Sequence, residues 1–172
     1  MLLSATVYRA HHPRWSFDPL SGAGAARYGG RFNPRGMAAL YTSLRFETAW
    51  REAQQGFAFK AQPLTLCAYR AECDDVLDLT DPATREAHGI RPGDLACAWE
   101  DLADRGIEPP SWRLARRLRE AGIAAILVPS YAPGATPEDV NAVFWDWGEA
   151  APHSLRLVDD ERRLPRDDSS WR

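Results

Sequence analysis

Arg27 to Glu52 reads RYGGRFNPRGMAALYTSLRFETAWRE. Arginines, two tyrosines, an asparagine and two glutamates crowd beside a Gly-Gly turn. Charged side chains are rarely buried unless paired, so this segment is poor core material and good ligand-site material. Consecutive glycines open backbone conformations closed to other residues and let a ligand approach closely. If the chain runs on as an extended strand, Arg31 and Asn33 share a side. Pro34-Arg35-Gly36 marks a turn, and Ala38–Thr42 is predicted as a buried strand forming a hairpin with the residues before it. Ser43 is expected to cap a helix running from Leu44 to Gln55, with Gly56 as its stop. Phe46, Ala49, Trp50 and Ala53 make one apolar face of that helix. Glu47 and Glu52 flank the face on opposite sides, each about 110° from its centre. Periodicity leaves open which glutamate lines a site.

On the N-terminal side, Thr6–Arg9 reads as a short strand by its β-branched and aromatic content. His11–Gly30 then reads as a long irregular loop, of the kind that is usually functional or disordered. The adjacent His11 and His12 are expected to be solvated. On the C-terminal side, Leu64–Arg70 and Val76–Leu79 are predicted strands. Thr80-Asp81-Pro82 starts a short helix that ends near Gly89. A second helix covers Gly93–Asp104. A third covers Ser111–Ala121, with Trp112, Ala115 and Leu118 on one face, a solvated basic face opposite, and Gly122 as its stop. Ile123–Val128 is a buried strand ending at Pro129-Ser130-Tyr131, a common kind of site position. Asn141–Trp147 and Ser154–Val158 are the last strands, and on the first of these Trp145 and Trp147 would share a face. Residues 1–158 are expected to form one domain, and 159–172 a charged tail. Strands surround a few helices irregularly, which gives an α+β class.

The composition is that of an ordinary folded domain: 172 residues, 45% hydrophobic and 26% charged. A net charge of -3 gives no basic footprint, so nucleic acid is not an expected partner. Three cysteines without a CxxC pair argue against a disulfide framework or a zinc site, and no metal is expected. MLLSATVYRA lacks a basic start followed by a long apolar run. The longest apolar run is too short to span a bilayer. A cytoplasmic protein without membrane contact is the expectation.

The chain contains no GxGxxG, P-loop, HExxH or GxSxG pattern, which removes the main support for Rossmann, phosphate-loop, zincin and α/β-hydrolase readings. The remaining chemistry is that of arginine, tyrosine, glutamate, serine and asparagine. Arg31 or Arg45 can clamp a phosphate bidentately, and Arg9 is a further possible phosphate ligand. Tyr28 or Tyr41 can stack on a ring. A glutamate can favour positive charge developing on a sugar, and Ser130 and Asn141 can bond an amide or a ribose. Together these suit NAD as the substrate of a glycosidic cleavage. Asp74 and Asp75 are adjacent on an extended segment and point to opposite faces, so they do not form a carboxylate pair.

The runs RYGGRFNPRG, ALYTSLRFETAWRE, ILVPS and NAVFWDW together resemble the RES domain, the toxin half of bacterial RES–Xre toxin–antitoxin pairs. The likeness extends from Tyr8-Arg9 to about Trp147. It implies a fold like that of ADP-ribosyltransferase toxins such as diphtheria toxin, NAD as substrate, and an Xre-type helix-turn-helix antitoxin as partner. It also implies Arg31, Tyr41 and Glu52 as catalytic residues, selecting Glu52 over Glu47. Arg31, Tyr28, Asn33, Ser130 and Asn141 become the expected NAD contacts. The first expectation for the reaction is transfer of ADP-ribose to a protein. The alternative is hydrolysis or phosphorolysis that depletes NAD. A Trp-rich non-catalytic binding module and an RNA-cleaving toxin are the rivals from other classes.

Overall fold

The computed structural model describes residues 1–54 and 62–172. In chain order the elements are β1 (Leu3–His11), α1 (Ala23–Tyr28), β2 (Leu40–Ser43), α2 (Phe46–Ala53), β3 (Thr65–Cys73), β4 (Val76–Asp78), α3 (Pro82–Ala87), α4 (Pro92–Leu95), α5 (Trp99–Asp104), α6 (Pro110–Glu120), β5 (Ala125–Pro129), β6 (Val140–Phe144) and β7 (His153–Leu157). The strands form one mixed sheet in the order β4-β5-β6-β2-β1-β3-β7, an α+β arrangement. Every pairing is antiparallel except β4 with β5.

The sheet is buried on both faces, and the central strands show it residue by residue. On β5, Ala125 and Leu127 join a cluster with Leu3, Val7, Tyr69 and Phe144, while Ile126 and Val128 join Leu79, Leu95, Leu114 and Leu118. Side chains alternate along a strand, so a strand covered on both faces reads as a continuous apolar run rather than an alternating one. Asp81 caps α3 by accepting from the backbone N–H groups of Ala83 and Thr84, with Pro82 in the first turn.

One weak seam crosses the sheet. β1 pairs with β3 over its whole length, from Leu3–Cys73 to His11–Thr65, yet with β2 it shares only the pair Tyr8–Ser43. In an antiparallel register Arg9 would next oppose Thr42, and Ala10 would oppose Tyr41. Those pairs are not made.

Several local expectations are corrected. No hairpin forms ahead of β2; Gly30 and Asn33 make only an isolated bridge, and β2 pairs with β6 and β1. Ser43 is a strand residue, and Arg45 takes the helix N-cap position without a capping side-chain bond. Gln55 and Gly56 lie outside the described residues. Phe46 and Trp50 are 51% and 38% exposed, because α2 lies on the sheet through Thr48 and Ala49. The Gly93–Asp104 helix breaks into α4 and α5, and α6 buries Ser111, Leu114, Ala115 and Leu118 while Trp112 is half-buried. Trp145 and Trp147 do not share a face: β6 ends at Phe144, Trp145 joins one core cluster and Trp147 packs against the other. His11 is buried whereas His12 is exposed. Within 159–172, Leu164 packs on the core and the Trp171 ring lies 5.2 Å from that of His12. No described helix is long and apolar enough to cross a membrane.

Candidate active site

The Gly-Gly segment builds the position of one tyrosine. Gly29 has φ +78, a conformation costly for a side-chain-bearing residue. A Cβ on Gly30 would stand 2.5 Å from the Tyr41 hydroxyl and 2.7 Å from Asn33 Oδ1. That hydroxyl donates to Asn33 Oδ1 at 2.7 Å and accepts from the Phe32 N–H at 2.9 Å. Asn33 is fully buried, and its Nδ2 donates to the carbonyls of Ala25, Met37 and Pro34. Trp112 and Trp145 donate their indole N–H groups to the carbonyls of Gly30 and Phe32. Burial pushes the Tyr41 hydroxyl pKa well above its ordinary value, against the smaller opposing effects of the Phe32 N–H and the Arg31 charge. Tyr41 is therefore a neutral phenol whose hydroxyl is committed to the turn, and its ring is what it offers to a cavity.

That cavity, about 260 Å³, opens where the β1–β2 ladder stops. Tyr8, Arg9 and Ala10 line it from β1, Tyr41, Thr42 and Ser43 from β2, and Ala49, Glu52 and Ala53 from α2, with Asn141 from β6. Glu52 is its chemical centre. Glu52 Oε1 accepts from Ser130 Oγ at 2.6 Å and from Asn141 Nδ2 at 2.5 Å. Ser130 Oγ also accepts from the Ala132 N–H, and Asn141 Oδ1 accepts from Ser43 Oγ at 2.7 Å. One carboxylate oxygen is thus fixed by two donors, and Oε2 takes no hydrogen bond from the described residues. Hydrogen bonds to an ionised acceptor are the strong ones, so this carboxylate is held in place. Glu47 points away, into an exposed pair with Arg45.

A clamp outside the cavity holds the helix that carries Glu52. Asp139, on the turn leading into β6, accepts from Thr48 Oγ1 at 2.5 Å and Arg51 Nη1 at 2.7 Å on α2. It also accepts from the N–H and hydroxyl of Thr136. These bonds, the Thr48 hydroxyl foremost, hold its carboxyl well below the usual aspartate pKa.

The other expected residues lie elsewhere. Arg31 does not line the cavity. Its guanidinium donates to the carbonyls of Cys97 at 2.7 Å and Leu95 at 3.4 Å and lies 4.6 Å from the centre of the Tyr131 ring, next to Ser130. Asn33 has its amide satisfied within the turn and does not line that cavity. Tyr28 is 65% exposed and lines a second cavity. Arg45 is engaged by Glu138 and Glu47. Arg9 is a cavity residue, its Nη1 bonded to the carbonyls of Pro19 and Ser21. Sequence reading gave Ser43 the wrong task and missed Thr48 and Asp139. Ser43 precedes an obvious helix, which mimics a cap. Asp139 is 91 residues from Thr48, and no local pattern records that contact.

The chain is similar to known proteins over most of its length. The RES domain family model matches residues 6–167. Over 104 residues the chain is 38% identical to proteins named NAD(+) phosphorylase MbcT from Mycobacterium bovis and Mycobacterium tuberculosis. That alignment takes in 54% of this chain and 53% of the relative, so the chain spans about half the length of the curated relatives it matches. A crystal structure of the M. tuberculosis MbcT–MbcA toxin–antitoxin complex superposes with a TM-score of 0.66 at 25% identity, covering 92% of this chain and 84% of that one. With residues 6–167 matched by its model, the chain belongs to the RES domain family.

Proposed function

We propose that this protein consumes NAD by breaking the bond between nicotinamide and ribose, with inorganic phosphate as acceptor, and that it is the toxin of a toxin–antitoxin pair. The observation that carries the reading is the Glu52 carboxylate, anchored through one oxygen by Ser130 and Asn141 at a cleft that Tyr41 and Arg9 also line. Cleavage moves the electron pair of the carbon–nitrogen bond onto the pyridinium nitrogen, which becomes neutral as nicotinamide leaves. Positive charge grows on the ribose, and a preorganised carboxylate stabilises it. A phosphate oxygen then bonds the anomeric carbon, giving ADP-ribose phosphate. Tyr41 offers its ring face to the nicotinamide half. The guanidinium N–H groups of Arg9 not used on Pro19 and Ser21 suit the pyrophosphate. Arg31 acts as a positioning residue, holding Tyr131 and thereby the turn that carries Ser130.

The relatives named NAD(+) phosphorylase favour phosphate as acceptor over the protein side chain expected first. The test is nicotinamide release from NAD by the purified protein, with and without phosphate and with cell lysate. Phosphate-dependent release supports the reading. Label from the adenylate half of NAD appearing on a lysate protein would return the transferase reading, and no release at all would remove both.

An antitoxin of the Xre helix-turn-helix type is the proposed partner, acting on a cytoplasmic toxin. Phe46 and Trp50 support it, since these exposed aromatics lie on the helix that carries Glu52 and aromatics of this kind are enriched at interfaces. Trp50→Lys should weaken neutralisation in co-expression while nicotinamide release persists.

A further inference from the structure

The cavity at Glu52, about 260 Å³, is smaller than the ~300–1,000 Å³ usual for small-molecule sites, so a dinucleotide bound there would extend beyond it. A second cavity, about 350 Å³, shares Arg9 as a wall. Alternation along β1 explains how the two meet. Tyr8 and Ala10 project to the α2 side, where the Tyr8 and Phe46 rings lie 6.2 Å apart. Arg9 and His11 project to the opposite side. Because the β1–β2 ladder ends at Tyr8–Ser43, the first cavity takes lining from both sides of the sheet, Tyr41 and Ser43 from one and Arg9 and Thr42 from the other.

The second cavity has the chemistry of a heterocycle site. Trp15, Phe17 and Tyr28 line it, with Trp15 53% and Tyr28 65% exposed. Aromatic rings can stack bases; here Arg14 lies 5.2 Å from the centre of the Trp15 ring and Arg27 5.2 Å from that of Tyr28, leaving each ring its other face. His11 is 9% exposed and lines the same cavity, and neither ring nitrogen has a hydrogen-bond partner among the described residues. A buried polar group without a partner is costly and calls for an explanation. Burial lowers the His11 pKa to about 4, helped by the Arg9 and His12 charges, so the ring is neutral and carries one donor and one acceptor. A purine edge offers the complementary pair. Both nitrogens lie beneath the surface at the cavity wall.

We propose that the cavity lined by His11, Trp15, Phe17 and Tyr28 is the subsite for the purine half of the dinucleotide, with Arg9 on the shared wall spanning the pyrophosphate. The proposal rests on the NAD reading above and divides the substrate between the two sides of the split sheet.

The test compares nicotinamide release from NAD and from nicotinamide mononucleotide, which lacks the adenylate half, and measures AMP binding directly by calorimetry. Trp15→Ala, at an exposed position where folding is not at stake, should lower the ratio of kcat/KM for NAD over that for the mononucleotide about tenfold, the size of one lost base stack. It should weaken AMP binding by a similar factor, as should His11→Gln. Active enzyme whose NAD preference and AMP affinity are unmoved by Trp15→Ala and Tyr28→Ala would overturn the subsite while leaving the NAD reading intact. Wild-type protein that releases no nicotinamide yet binds AMP in a Trp15-dependent way would keep the subsite and overturn the reaction. Wild-type protein that binds no AMP would overturn the subsite.

Discussion

Glu52, Tyr41 and His11 are three polar residues with three different fates. Glutamine at position 52 keeps an oxygen for Ser130 and Asn141 to bond and removes only the charge. Glu52→Gln should therefore melt within a degree or two of wild type and lose about 10²–10³-fold in nicotinamide release, the range for loss of one electrostatic stabiliser. Tyr41→Phe keeps the ring and strands both Asn33 Oδ1 and the Phe32 N–H. It should cost about 1–3 kcal/mol of stability in urea denaturation, with a smaller effect on turnover than Glu52→Gln. His11 has a folded pKa lowered to about 4 against about 6.5 unfolded. Between these values the unfolded chain takes up a proton that the folded chain refuses. Stability is therefore whole above pH 6.5 and falls as pH drops toward 4. A pH series of melting temperatures should show that fall in wild type and its reduction in His11→Gln.

At the scale of elements, helix α2 carries Glu52 to the cleft. It is amphipathic, but of its apolar stripe only Ala49 is buried, beside Thr48, while Phe46 and Trp50 stay out. The reason is the polar clamp on Asp139, which draws Thr48 and Arg51 toward the turn before β6. Asp139→Ala should cost about 1–3 kcal/mol and, by loosening α2, lower kcat while Glu52 is untouched. Because the folded carboxyl of Asp139 is held below its usual pKa, its contribution is complete above about pH 4 and is lost as pH falls further. Wild type and Asp139→Asn should therefore differ in urea midpoint at pH 7, and the difference should begin to shrink only as pH falls below about 4. Helix periodicity carries no trace of the clamp, which is why the apolar stripe misleads.

At the scale of the molecule, the sheet is covered on both faces and opened at one seam. The last residues belong to this assembly, through Leu164 on the core and Trp171 against His12. Removing residues 159–172 should expose that core surface and lower the melting temperature by several degrees, as a thermal scan of the truncated protein would record. The α+β class, the buried run at β5, the capped start of α3 and the grouping of Glu52, Ser130 and Asn141 were all legible beforehand. The grouping came through likeness to a family, since the Glu52 contacts span 78 and 89 residues.

Strand alternation, the Asp81 cap and the turn glycines act within a few residues, so the sequence alone determined them. The tertiary structure decided which polar residues face a ligand and which serve the fold. Asn33 and Tyr41 stand close in the same motif, yet the side chain of one is sealed by four hydrogen-bonded neighbours while the other gives its ring to the cleft. The seam between β1 and β2 likewise appears in no local pattern. A strand's propensity says that it will pair, whereas where the ladder stops depends on the packing of α2 and the rest of the sheet around it.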